Sequence, residues 1–219
     1  MGSTHPIIHL SASDVSNLRL ESRSAPFHIG GLAILEAAPL LDGSGRLRLA
    51  EIRARLEHRI AAVPQLRRRL RSPGVLGGRP IWVDEAGFDI SRHVFEAQIA
   101  APGGEGELLE TVAELFGQLL DRGHPLWELW FLTGLTGGRI AVLLKLHHAV
   151  ADGMAALAIM RSLLDAGTAE VAPVPWRVEP PPPAWALRRD NLAGRVRGIR
   201  EACRALGHPT RVLHGAAPW

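Results

Sequence analysis

The chain has 219 residues, 47% of them hydrophobic and 21% charged, a balance that suits a soluble globular protein with a substantial core. Its net charge is only +3 although the sequence pI is near 10.2. Lys145 is the lone lysine, and guanidinium stays charged far above the pKa of an amine, so the high pI is weak evidence for a nucleic-acid partner. The single cysteine, Cys203, excludes an internal disulfide and fits a reducing compartment. No apolar run nears the roughly 20 residues of a membrane span, and Met1 to Pro6 lacks the regions of a secretory signal. A cytoplasmic protein is expected, with any membrane contact peripheral.

In chain order, Ser11 to Arg23 predicts a short helix capped by Ser11 or Ser13. Phe27 to Glu36 predicts a strand in which Gly30-Gly31 marks a bulge or a close backbone approach. Leu49 to Val63 places Leu49, Ile52, Leu56, Ile60 and Val63 at helical spacing, ended by Pro64. Gln65 to Arg71 is a basic cluster, read as a solvated face with Leu66 and Leu70 inward; an anion site is the minority reading. Arg79 to Asp84 reads as a strand and Leu108 to Leu120 as a helix. Glu128 to Thr133 and Arg139 to Leu146, separated by the turn Gly134 to Gly138, predict an antiparallel hairpin. A helix follows from Met154 to Leu164.

The composition divides the chain into a lobe over 1–166, a proline-rich semi-rigid connector over 167–186 and a basic amphipathic helix that opens the segment 187–219. That helix, Leu187 to Leu206, suits either an anionic membrane or partner surface or simple intramolecular packing.

The chemistry concentrates in His147-His148-Ala149-Val150-Ala151-Asp152-Gly153, where a buried strand ends and a helix begins. Adjacent residues of a strand point to opposite faces, so one imidazole can reach a cleft while the other bonds within the core. Asp152 sits where a carboxylate caps exposed amides, and Gly153 is read as letting the chain turn freely. Imidazole, with an unperturbed pKa of about 6.5, is the usual proton acceptor near neutrality. No covalent nucleophile is evident, since no G-x-S-x-G elbow occurs and Cys203 lies far off in the basic helix. A metal site is the weaker competitor: no H-E-x-x-H motif and no cysteine ligands accompany these histidines, though His93 or His124 could add a ligand. Catalytic and purely structural roles for the pair stand even on local chemistry.

The motif His147-His148-x-x-x-Asp152-Gly153 resembles the HHxxxDG signature of the acyl-CoA-dependent acyltransferases. Pro125-Leu126-Trp127, the segment Ser13-Asp14 to Leu32, and the blocks Pro64 to Leu70, Pro80 to Asp84 and Phe88 to Val94 narrow the resemblance. Together they resemble bacterial wax ester synthase/acyl-CoA:diacylglycerol acyltransferases over at least Ser11 to Ala186. The resemblance implies an α/β, chloramphenicol-acetyltransferase-like lobe with a mixed sheet flanked by helices. It implies transfer of a fatty acyl group from acyl-CoA, a substrate rather than a cofactor, to a long-chain alcohol or diacylglycerol. His148 would be the general base, His147 its support and Asp152 a structural carboxylate. Pro125, Leu126 and Trp127 would shape the fold or an apolar channel, with an ordinary core aromatic as the alternative for Trp127.

Family members are roughly double this length and two-lobed. The chain is therefore expected to be an amino-terminal lobe whose carboxy-terminal lobe is truncated, cleaved or a separate chain, and to be inactive alone. The expected site is cytoplasmic, peripheral to the inner membrane or a lipid droplet. Alternatives are another HHxxxDG lobe of condensation type and a non-catalytic lipid-surface or partner-binding domain.

Overall fold

The computed structural model describes residues 7–74, 77–164 and 176–207, with side chains to residue 204. The amino-terminal Met1 to Pro6, the first part of the expected connector (167–175) and the end of the last segment (208–219) lie outside the described residues. The strands are β1 (Ile8–His9), β2 (His28–Glu36), β3 (Arg68–Arg71), β4 (Ile81–Asp84), β5 (Val94–Gln98), β6 (Trp127–Leu135) and β7 (Arg139–His147). The helices are α1 (Ala12–Leu20), α2 (Leu49–Ile60), α3 (Glu105–Gly117), α4 (Gly153–Leu164) and α5 (Ala184–Gly207).

The main sheet has the order β2-β7-β6-β5. It is mixed: β7 runs antiparallel to both β2 and β6, while β5 is parallel to β6. The predicted hairpin is present, and its turn places Gly137 and Gly138 at φ of 76° and 67°, where a side chain would strain the backbone. Central strand β7 is buried from Ile140 to His147, as a strand covered on both faces must be.

Alternation along β7 sorts its side chains between two cores. Ile140, Val142, Leu144 and Leu146 meet Ile52, Leu56 and Ile60 of α2 and Ile159, Met160 and Leu163 of α4. Ala141 and Leu143 face Leu108 and Leu115 of α3. Lys145 lies on the α3 side and is fully buried. Its Nζ donates to the Leu115 carbonyl at 2.8 Å and to Glu128 Oε2 at 3.2 Å. Burial pulls its pKa below the ordinary lysine value, and the Glu128 carboxylate opposes that shift. The ammonium thus occupies the carbonyl end of α3, where a cation is favoured.

The second sheet, β1-β4-β3, is small and antiparallel. With α1 it packs Leu10, Val15 and Leu18 against Leu126 and against Ala149 and Val150 of the histidine loop. The basic cluster turns Leu66 and Leu70 inward, as expected. Arg68 to Arg71 form β3, with Arg68 paired to Asp84 at 3.3 Å and Arg69 to Glu85 at 2.8 Å. Carboxylates of Asp84 and Glu85 neutralise those part-exposed guanidiniums, which speaks against the anion site.

Several boundaries also move. Strand β5 and the short β1 carry no clear signal of their own in the sequence. Helix α3 starts earlier than predicted because Glu107 accepts the Gly104 N–H at 2.8 Å, closing the first turn. Helix α5 starts at Ala184, within the expected connector, because the carbonyl of Pro183 accepts the amides of Ala186 and Leu187. Leu187 is buried against Ile81 and Val83, and His9 Nε2 meets Asp190 Oδ2 at 2.7 Å. Farther along, Leu192, Val196 and Ile199 are exposed. Packing by the near end and an unburied far end coexist on one helix.

Between β2 and β7 the register runs unbroken from His28 opposite His147 to Glu36 opposite Arg139, so Gly30-Gly31 forms no bulge. Close backbone approach is the reason for Gly30, while Gly31 faces only the flexible end of the Met160 side chain. A Cβ on Gly30 would overlap the Leu144 carbonyl oxygen and press on the Phe116 ring, and one on Gly31 would lie 2.9 Å from Met160 Sδ. Gly30→Ala is expected to destabilise the fold by about 3 kcal/mol or more through overpacking against backbone. Gly43→Ala, with open space around it, should stay within about 0.5 kcal/mol. Urea denaturation of both variants checks this.

Candidate active site

Strands β2 and β7 are antiparallel, as are β7 and β6, so the start of β2, the end of β7 and the start of β6 share one edge of the main sheet. His28, His147 and Pro125-Leu126-Trp127 meet there. The His147 N–H donates to the Leu126 carbonyl at 3.0 Å, which stitches the two sequence motifs together. Pro125, Leu126 and Trp127 are all buried.

Trp127 is a core aromatic. Its Nε1 donates to the Leu66 carbonyl at 2.8 Å, and its ring stacks on His93 at 4.6 Å. His93 in turn stacks on Phe88 at 5.2 Å, and the Arg67 guanidinium lies 4.9 Å from the Phe88 centroid. His93 donates from Nδ1 to the Trp127 carbonyl at 3.0 Å, and burial holds its pKa below the ordinary range. These contacts place His93 in a stack beneath the loop, not among ligands.

The two adjacent imidazoles separate as strand alternation predicts. His147 is wholly buried, whereas His148 is exposed at the surface of the lobe. The Ala149 N–H donates to His147 Nδ1 at 2.9 Å. That ring nitrogen is therefore the acceptor, and in the neutral ring the proton resides on Nε2. Such a tautomer leaves His147 no lone pair for a metal on either nitrogen. Among the described residues, no group of three or more His, Cys, Asp or Glu side chains is placed to hold a metal ion.

Sequence reasoning missed the group that surrounds His147. The carboxylate of Glu21, just past α1, is almost fully buried and lies 3.4 Å from Nε2 of both His147 and His28. Its Oε1 accepts the Phe27 N–H at 3.2 Å, and its Oε2 accepts from Arg122 at 2.8 Å. Burial works to raise the Glu21 pKa, but the bonds from Arg122 and Phe27 outweigh it and leave the carboxyl below its ordinary value. His28 donates from Nδ1 to the Phe116 carbonyl at 2.9 Å, and burial lowers its pKa. Glu21 and Arg122 stand 101 positions apart, so no local spacing announces the pair.

Asp152 does what the sequence predicts. Its Oδ1 accepts the Ala155 N–H at 2.8 Å, and its carbonyl accepts the Ala156 N–H at 2.8 Å. It therefore caps α4. The steric reading of Gly153 fails. Gly153 opens the helix with no positive φ, and a Cβ there would meet nothing within 4 Å. Nothing in this chain's own packing requires that glycine.

Burial depresses the His147 pKa to about 4, with the Glu21 carboxylate opposing the shift. An unfolded imidazole binds its proton near pH 6.5. Between about pH 6.5 and about 4 the unfolded chain therefore holds more protons, and stability falls as pH falls through that window. His28 and His93, whose pKa values are also lowered, act in the same direction. Urea midpoints should decrease from pH 7 to pH 5. His147→Asn, which keeps an acceptor for the Ala149 N–H but cannot be protonated there, should flatten the slope; a midpoint independent of pH contradicts this. Gly153→Ala is expected to melt at the same temperature or higher, since alanine is favoured over glycine in a helix by up to about 1 kcal/mol.

The chain matches the wax ester synthase/diacylglycerol acyltransferase catalytic-domain profile over residues 10–218. A Mycobacterium bovis protein bearing the name diacylglycerol O-acyltransferase is 38% identical over 159 residues, covering 72% of this chain and 33% of that protein. A Mycobacterium tuberculosis protein of the same name is 35% identical over 214 residues, covering 93% of this chain and 43% of its own length. Among solved structures, the wax ester synthase/diacylglycerol acyltransferase of Marinobacter aquaeolei VT8 aligns with a TM-score of 0.57 at 28% identity, over 70% of this chain and 36% of that one. The starter condensation domain of rhizomide synthetase aligns with a TM-score of 0.53 at 15% identity, over 73% and 36%, a likeness of fold alone. The mixed-sheet, chloramphenicol-acetyltransferase-like lobe expected from the sequence is thus the observed fold, and the chain spans well under half of the length of these relatives. It belongs to the wax ester synthase/diacylglycerol acyltransferase family.

Proposed function

We propose that the chain supplies the base-bearing amino-terminal lobe of an O-acyltransferase that moves a fatty acyl group from acyl-CoA to a long-chain alcohol or diacylglycerol. The division between a buried His147 and an exposed His148 carries this reading. His148 takes the proton from the acceptor hydroxyl as its oxygen attacks the thioester carbonyl. The tetrahedral intermediate then collapses, the carbon–sulfur bond breaks, and the proton held by His148 passes to the departing CoA sulfur. Wax ester or triacylglycerol and free CoA result, with no covalent enzyme intermediate. His147 and Asp152 hold the loop at its two ends.

His148 stands on the surface of this lobe, and the relatives are more than twice as long as the part matched here. The reading is therefore that a carboxy-terminal lobe, on the same polypeptide or a separate one, supplies the facing wall of the reaction cleft. Helix α5 carries exposed Leu192, Val196 and Ile199 among arginines, which favours peripheral attachment to an anionic lipid surface in the cytoplasm.

In the assembly with both lobes, His148→Ala should reduce CoA release with either acceptor by about two to four orders of magnitude, the usual worth of a general base. Unchanged turnover overturns the base assignment. The 219-residue chain alone should release no CoA above background, and robust release by it contradicts the need for a second lobe.

A further inference from the structure

Arg67 stands apart from its neighbours in the basic cluster. Arg68 and Arg69 meet carboxylates, whereas the Arg67 guanidinium lies over two rings, 4.9 Å from the Phe88 centroid and 5.5 Å from that of Trp176. Its Nε is buried without a hydrogen-bond partner, and so is Nε1 of Trp176. Stacking, which suits a planar guanidinium, therefore sets the contact. Phe88 in turn stacks on His93 at 5.2 Å, and His93 on Trp127 at 4.6 Å. A continuous series of ring contacts thus runs from Trp176 in the connector to Trp127 at the start of β6.

We propose that Arg67 is a positioning residue that couples the connector to the active site, carrying the placement of Trp176 through Phe88 and His93 to Trp127 beside the histidine loop. The inference rests on the reading of His148 as the base.

Both ends of the series are anchored. At the site end, Trp127 Nε1 donates at 2.8 Å to the carbonyl of Leu66, the residue before Arg67. Backbone and side chain of one short segment therefore act on the same indole. The Trp127 N–H shares a peptide plane with the Leu126 carbonyl, which accepts the His147 N–H at 3.0 Å. Placement of the ring thus reaches the strand end that displays His148. At the other end, the connector is strapped along the small sheet beyond Trp176. The Glu179 N–H donates to Asp84 Oδ2 at 3.0 Å, and Arg71 donates to the Pro182 carbonyl at 3.4 Å. Leu187, buried against Ile81 and Val83, completes the attachment. Packed side chains in series are a physical route for coupling, and Arg67 is where the seat of the connector meets the site.

The test compares Trp176→Ala and Trp176→Phe with wild type in the two-lobed assembly, reading kcat, KM for acyl-CoA, 15N-tryptophan spectra and amide hydrogen exchange at Glu179. Trp176 is half-buried and ends the series, so its loss spares the core of the lobe. Trp176→Ala is expected to lower kcat about fivefold or more with KM little changed, since small misplacements of a reacting group are costly. The Trp127 indole resonance should shift with it. Trp176→Phe keeps a ring face for the guanidinium and should restore kcat to within about twofold of wild type. A connector that merely packs would exchange faster at Glu179 in Trp176→Ala while kcat and the Trp127 indole stay as in wild type. That result overturns the proposal, as does an equal loss of kcat in both variants. Arg67→Lys gives a second test, because lysine keeps the charge but not the planar stack; wild-type turnover by it also overturns the proposal. Full turnover by His148→Ala would remove the base reading, while a shifted Trp127 indole in Trp176→Ala would still support the coupling and an unshifted one would still refute it.

Discussion

The acceptance of the Ala149 amide by the buried His147 ring is the bond on which the site depends. It turns an imidazole that could have been a second surface group into part of the backbone scaffold. With Nδ1 committed and Nε2 facing a carboxylate, the ring has one stable tautomer and no free lone pair. The neighbouring His148 is then displayed from the lobe at a fixed angle, because the chain cannot rotate on either side of it without losing a hydrogen bond in a poorly solvated place. A rigid strand end with a secured loop is the general way a fold aims a reactive side chain.

The rest of the architecture serves that strand end. Burial of β7 on both faces gives it a single register against β2 and β6, and a slip by one residue would exchange His147 with His148 between core and surface. Lys145, two positions earlier on the same face as His147, shows how firmly the register is set. Its ammonium has to find the end of α3 and Glu128, and only one alignment offers both. The small sheet and α1 pack under Ala149 and Val150, so the first half of the loop rests on apolar contact while Asp152 anchors its far end to α4.

What could be read from the sequence was what depended on near neighbours. Alternation in a strand separated the two histidines, the position of Asp152 before an apolar helix marked a cap, and the glycine turn between β6 and β7 announced a hairpin. The flanking motifs tipped the balance from structure to catalysis, where local chemistry had left it even. Contacts that depend on distant partners could not be read. Glu21 opens an unremarkable polar stretch, Glu21-Ser22-Arg23-Ser24, beyond α1 and acquires meaning only when Arg122 and His147 fold onto it. The carboxylate partners of the β3 arginines could not be read because they lie across a sheet. Gly153 was misjudged for the opposite reason: the motif drew attention to it, but its surroundings are open.

Carbethoxylation with residue-level mass mapping tests the central claim most directly, that exposed His148 works while buried His147 holds. Applied to the two-lobed assembly, diethylpyrocarbonate should modify His148 in step with the loss of acyl transfer, while His147 stays unmodified until the protein unfolds. Modification of His147 at a comparable rate in the folded protein, or full activity with His148 carbethoxylated, would contradict the account.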